Sequence, residues 1–170
     1  MTIFTIGHST RPIDVFLGLL AGHHIERLVD VRKVPQSRHN PQFGRERLAE
    51  TLEASGIRYT HMPGLGGLRR PRPDSLNKGW RNPGFRGFAD YMQTAAFETS
   101  LAECIELALR ERVVLMCAEA VPWRCHRSLI ADALVVRGVD AREITSVSSA
   151  RPHVLTPWAH VEGTHIVYAA

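Results

Sequence analysis

The chain has 170 residues, 44% of them hydrophobic, with a formal net charge of +4 and a pI of about 9.3. That is the size of one domain with a real core, and its basic bias favours anionic partners. No apolar run approaches the ~20 residues that span a bilayer, which excludes a membrane helix. The N-terminal MTIFTIGHST carries no basic region ahead of its apolar residues, unlike a secretory signal. Three cysteines do not pair completely, so a cytoplasmic protein with reduced thiols is expected.

Elements alternate along the chain. Residues 2–7 (TIFTIG) are a short apolar run closing on a glycine, the pattern of a buried strand. In residues 12–22 (PIDVFLGLLAG), Ile13, Phe16, Leu17 and Leu20 share one helical face, with Pro12 at the start and Gly22 at the stop. Residues 25–31 (IERLVDV) give a second strand. Residues 44–56 (GRERLAETLEASG) repeat the helical pattern: Leu48 and Leu52 lie on one face and Gly56 ends it. Residues 57–62 (IRYTHM) alternate as a third strand.

Residues 63–85 form a long connection rich in Gly, Pro and Arg, and such connections are usually functional or disordered. A helical pattern follows from Phe88 to Arg110, with an interruption near Glu98–Ser100. RVVLMCA, residues 112–118, is the most apolar β-rich run and reads as a central parallel strand. Residues 126–138 form an amphipathic helix stopped by Gly138, and residues 141–147 a last strand. This alternation predicts one compact α/β domain over residues 1–150: a mostly parallel sheet of about five strands with helices on both faces. Residues 151–170 form a tail, with a small hairpin in residues 156–168 packed on the same domain.

In open α/β sheets, ligands bind beyond the carboxyl ends of the strands, and the titratable side chains concentrate at those ends. The first strand ends in Gly7-His8-Ser9, and the second in Asp30-Val31-Arg32-Lys33 with Ser37 and Arg38 following. The third ends at His61, and the fourth at Cys117 and Glu119, followed by Cys125-His126-Arg127. A parallel sheet brings these groups to one edge. Each also has a plain structural reading. Cys117 is a small buried hydrophobe as readily as a reactive thiol. His8 and His61 are acid–base groups or structural donors. Ser9 and Ser37 are phosphate donors or helix caps. Asp30 and Glu119 act as bases, orient a histidine, or pair with an arginine; Arg32 is such a partner for Asp30.

Cys125 falls at a helix N-terminus, where the dipole and nearby Arg124, His126 and Arg127 favour a thiolate. The same helix end with the Arg127 guanidinium suits a phosphate or sulfate; alternatively Arg127 ties down the turn by pairing with Glu119 or Asp30. Cys117-x6-Arg124 is one residue longer than the phosphatase spacing, and Cys117-x7-Cys125 is not a zinc-finger spacing.

TIGHS (5–9), DVRKVPQSR (30–38), GIRYTHMPGLGG (56–67), FADYM (88–92) and LMCAEAVPWRCHRSLIA (115–131) together resemble the bacterial and archaeal family called domain of unknown function 488. The resemblance runs from Thr5 to about Gly138, and the CAE…CHR block is its most specific part. It implies a compact α/β domain with one site built from those motifs. It implies no reaction, because the family is named for lacking an assigned function.

The leading expectation is a hydrolase-like enzyme acting on a phosphate-bearing ligand such as a nucleotide or nucleic acid. Cys125, His8, His61, Asp30 and Glu119 are the catalytic candidates. Ser9, Arg32, Ser37, Arg38, His126 and Arg127 are the ligand-binding ones. A second reading places zinc or iron on Cys117, Cys125 and His126, with His8 and His61 as further ligands. A third is a non-catalytic nucleic-acid module. In it the basic segment Arg69, Arg70, Arg72, Lys78, Arg81 and Arg86 grips phosphates while Trp80, Phe85 and Phe88 stack bases. No membrane partner, cofactor or oligomeric state is indicated.

Overall fold

The computed structural model describes residues 1–170. Five strands pair in parallel: β1 (Thr2–Gly7), β2 (Arg27–Asp30), β3 (Arg58–His61), β4 (Val113–Cys117) and β5 (Asp140–Ile144). β6 (Ala150–Pro152) adds antiparallel to β5, and the order across the sheet is β3-β2-β4-β1-β5-β6. This is the mostly parallel α/β sheet expected, with one strand more. The three residues of β6 carry no apolar periodicity of their own; they extend the sheet by hydrogen bonding to the free edge of β5.

The two faces of the sheet are covered by different helices. α1 (Ile13–Gly22) and α2 (Arg45–Ala54) bury Phe16, Leu20, Leu48 and Leu52 against Phe4, Ile6, Val114 and Met116. α3 (Pro83–Tyr91), α4 (Ala95–Arg110) and α5 (Arg127–Val135) bury Phe88, Leu101, Leu129 and Ile130 against Ile3, Val113 and Leu115. Successive strand side chains point to opposite faces. A strand covered on both sides, such as β4, is therefore apolar at every position. Each such side chain contributes about 1.5–3 kcal/mol on burial.

The helix stops are made by the glycines the sequence offers. After α2 the amide of Gly56 (φ 77°) bonds Glu53 O and that of Ile57 bonds Leu52 O. This Schellman pattern requires the left-handed conformation that glycine adopts at no cost. Gly138 (φ 78°) ends the α5 segment the same way, with Val139 bonding Leu134 O.

The helical pattern from residue 88 divides at Met92–Thr94, not at Glu98–Ser100. Thr94 Oγ1 accepts the Phe97 amide and starts α4 as its cap. α3 begins earlier than its periodicity, inside the long connection, because Asn82 Oδ1 accepts the Gly84 and Phe85 amides and Pro83 occupies the first helical position.

β7 (His160–Glu162) and β8 (His165–Val167) form an antiparallel hairpin. Tyr168 then enters the interior, where its hydroxyl donates to Asp132 Oδ2 at 2.7 Å and its amide to Asn77 Oδ1 at 2.9 Å. No helix is long and apolar enough to cross a membrane.

β1 and β4 are neighbours whose connections part company. From β1 the chain passes through α1 to β2 on one side, and from β4 through α5 to β5 on the other. The two connections leave over opposite faces of the sheet, α1 on one and α5 on the other, which opens a crevice at the carboxyl end. The loops flanking it are stitched together, with the His8 and Ser9 amides bonding Cys117 O and Ala118 O at 2.9 Å. Gly7 permits this approach, since any side chain there would drive into the Glu119 carbonyl.

Candidate functional site

A cleft of about 350 Å³ lies at this crevice. Its walls come from the ends of β2 (Arg32, Lys33, Val34, Gln36) and β4 (Cys117, Ala118, Glu119). The remainder comes from the loop before α5 (Arg124, Cys125, His126), from Gly67 and Leu68, and from the start of α3 (Asn82, Gly84, Phe85). It holds three guanidinium or ammonium groups against one carboxylate, Glu119. Asn82 and Phe85 reach it because the cap of α3 presents them there, a placement no local sequence signal announces.

Two thiols meet in the cleft wall. Cys117 Sγ and Cys125 Sγ are 2.6 Å apart, and no disulfide joins them. His126 Nδ1 lies 3.6 Å from Cys125 Sγ, while its Nε2–H donates to Leu65 O at 3.1 Å. A carbonyl only accepts, so Nε2 carries a hydrogen, and Nδ1 is the ring nitrogen that faces the Cys125 sulfur. The His126 ring also packs edge-on against Phe88 at 4.9 Å, and Gly67 leaves room for it.

The hydrogen bond from Cys117 draws the Cys125 thiol down to about 4, against burial and with help from His126 and Arg127. Burial first, and then the neighbouring Cys125, push the Cys117 thiol well above its ordinary value. The pair thus shares one proton and one negative charge at neutral pH, as closely coupled acids do.

Arg127 stands behind the thiols. It is fully buried, and its Nη1 donates to Cys117 Sγ at 2.7 Å and to the Glu119 carbonyl. Nη2 donates to Ala120 O at 2.9 Å and to Glu143 Oε1 at 2.5 Å, and Nε to Glu143 Oε1 at 3.0 Å. Burial opposes its charge, yet Cys117 and Glu143 outweigh that and its pKa rises. Every guanidinium nitrogen of Arg127, expected to bind an anion, already has a protein acceptor. At the start of α5 the Ser128 and Leu129 amides bond Cys125 O and His126 O. Arg127 does tie down the turn, but its carboxylate partner is Glu143, which no spacing in the sequence connects to it.

The other candidates build a second layer. Asp30 is buried and accepts from Arg32 Nε at 2.9 Å, Arg32 Nη2 at 2.7 Å and the Tyr59 hydroxyl at 2.6 Å. Burial and the bond to Asp30 raise the Tyr59 pKa. His8 is buried, stacks on Phe43 at 4.3 Å and donates from Nδ1 to Ser9 O at 2.8 Å. Its Nε2 faces Arg32 Nη1 at 3.5 Å, and burial lowers its pKa. His61 donates from Nε2 to Arg32 O at 2.7 Å. Asp30, His8 and His61 therefore hold Arg32 against the cleft, and none of the three lines it. Ser9, Ser37 and Arg38 also lie outside its lining; Glu119 and His126 lie within it.

No group of three or more His, Cys, Asp or Glu side chains that could hold a metal ion is found. Three of the six basic residues of the 69–86 segment have protein partners. Arg69 lies over the Tyr91 ring at 3.7 Å, Arg72 pairs with Asp74 at 3.0 Å, and Arg86 donates to Trp80 O at 3.0 Å. Phe88 is core, and Trp80 packs among Phe85, Trp158 and Tyr168. The aromatics expected to stack bases thus stack on one another.

Neither the curated proteins nor the solved structures include a significant match to this chain. A family profile matches residues 12–134, from the start of α1 almost to the end of α5, and leaves His8 and Ser9 just ahead of it. The chain belongs to the family described as Domain of unknown function DUF488.

Proposed function

We propose that the protein is an enzyme that uses Cys125 as a nucleophile on an anionic, phosphate-bearing ligand of nucleotide size. The observation carrying this reading is the position of Cys125 Sγ, between Cys117 Sγ at 2.6 Å and His126 Nδ1 at 3.6 Å in the wall of the cleft. A thiol, an imidazole facing it and a carbonyl orienting that imidazole are the parts of an activated nucleophile. Lys33 and Arg124 are exposed in the same cleft and, unlike Arg127, remain available to an anion. Val34, Leu68 and Phe85 supply an apolar surface for the rest of the ligand. In a hydrolytic cycle Cys125 Sγ bonds to the electrophilic atom as the leaving group departs. The attacking group is the thiolate; the leaving group takes its proton from water, and a second water, giving a proton to His126 Nδ1, then releases the product and restores the thiolate.

A thermal-shift panel tests this: inorganic phosphate, sulfate, nucleotides and short single-stranded DNA, on the wild type and on Lys33→Ala/Arg124→Ala. A ligand at ~100 times its Kd adds about 2.7 kcal/mol, and each kcal/mol moves the Tm of a domain this size by roughly 2–4 °C. Phosphate compounds are expected to raise the Tm of the wild type alone. Cys125→Ser is expected to keep that shift and lose turnover of the bound class. A flat panel, or turnover unchanged in Cys125→Ser, overturns the reading.

A further inference from the structure

Cys117 and Cys125 are placed for a reaction that needs no substrate in the cleft. We propose that hydroperoxides oxidise Cys125 and that Cys117 resolves the product to an intramolecular disulfide, which dithiols reverse. This goes beyond the proposed activity, since it requires only the two sulfurs and their surroundings.

The two sulfurs belong to segments that the fold already holds together. Cys117 ends β4, Cys125 precedes α5, and the loop between them is clamped by Arg127 through the Glu119 and Ala120 carbonyls. A disulfide needs sulfurs about 2.05 Å apart. From 2.6 Å the two sulfurs have about half an ångström left to close. The two thiols are unequally accessible. Both residues line the cleft, and Cys125, at 7% exposed against 2% for Cys117, is the more open of the two. Cys125 is also the thiol that gives up its proton readily, and the thiolate is the reactive form.

The chemistry balances within this pair. Cys125 Sγ attacks one hydroperoxide oxygen, the O–O bond breaks, and the departing oxygen leaves as water or alcohol after taking a proton. Cys125 is then a sulfenic acid. Cys117 Sγ attacks that sulfur, the S–O bond breaks, and the hydroxyl leaves as water with the Cys117 proton. Two thiols have lost two electrons and the peroxide has gained them. Arg127 Nη1, 2.7 Å from Cys117 Sγ, favours the thiolate required in the second step. Resolution by Cys117 also keeps Cys125 from irreversible oxidation to the sulfinic acid. The disulfide removes the nucleophile from the cleft.

Cys104 provides an internal reference. It is fully buried in α4, its thiol pushed up to about 12 by burial, and it has no sulfur neighbour. The test exposes the folded wild type to equimolar hydrogen peroxide, quenches with acid, denatures, alkylates and measures mass. Of the three free cysteines, Cys104 alone is expected to take the label, with a loss of two hydrogens and a cross-linked 117–125 peptide pair. Dithiothreitol restores all three labels. Cys117→Ser and Cys117→Ala are expected to stop at a Cys125 sulfenic acid that dimedone traps. Three labelled cysteines in oxidised wild type overturn the proposal. So do cross-links between chains, or sulfinic acid forming at Cys125 as fast in wild type as in the Cys117 variants. The readout is a thiol count without substrate, so it stands or falls separately from the proposed activity.

Discussion

The Arg127 guanidinium is held between two acceptors of different kinds: Cys117 Sγ at 2.7 Å on one side and the Glu143 carboxylate at 2.5 Å on the other. One buried cation thereby links the thiol wall of the cleft to β5. Thr5 on β1 completes the arrangement by donating to Glu143 Oε2 at 2.9 Å.

Removing that cation leaves Glu143 without its partner. Arg127→Met is expected to destabilise the fold by about 3–5 kcal/mol, the cost of breaking a buried ion pair on one side. Arg127→Met/Glu143→Gln is expected to recover part of the loss. Urea unfolding of the two variants and the wild type measures both effects. Equal stability of the single variant and the wild type would contradict this account of the pair.

Alkylation by iodoacetamide should report the Cys125 thiolate directly. With its thiol near 4, Cys125 is deprotonated throughout the neutral range, so its rate is expected to be flat between about pH 6 and pH 8. An ordinary thiol changes roughly tenfold per pH unit there. The hydrogen bond from Cys117 is the largest cause of the depression. Cys117→Ala should therefore move the midpoint upward and restore a rising profile, and Cys125→Ser should remove the fast phase.

His8 couples folding to acid. Its folded pKa lies below the ordinary 6.5 because burial disfavours the charged ring. The stability it contributes is present above the unfolded value of about 6.5 and is lost as pH falls below it, since the unfolded chain binds the proton more tightly. Denaturant midpoints measured from about pH 7 to pH 5 should fall, and His8→Gln should flatten that slope. An unchanged slope in His8→Gln would assign the acid sensitivity elsewhere.

Tyr168→Phe removes one donor from the buried Asp132 carboxylate, which retains His153 at 2.7 Å and Thr156 at 2.7 Å. A loss of about 1–3 kcal/mol is expected. It should be visible in thermal unfolding and accompanied by faster proteolysis of the 153–170 tail.

The periodic parts of the chain were legible before folding was considered. β1 spans the same six residues as its apolar run, and Gly56 and Gly138 end their helices where the pattern stops. These features depend on neighbours within a few residues, which a linear reading sees. The start of α3 at Pro83 was hidden because a single Asn82 cap, not periodicity, makes it. The gathering of Cys117, Cys125, His126 and Arg32 at one sheet edge was foreseeable, since parallel strands share their carboxyl ends.

Which of those gathered groups face ligand and which face protein is a different matter. Arg127, Arg32 and Arg124 are the same residue type within one polar edge. The first is consumed by Glu143, the second is braced by Asp30, and the third stays exposed. Glu143 lies 16 residues beyond Arg127 and meets it only through the pairing of β5 with β1 and the packing of α5 over that sheet. Composition and periodicity carry the alternation of strands and helices because those are local free energies. The division of charges between cleft and interior rests on contacts between distant segments, which exist only once the sheet has formed.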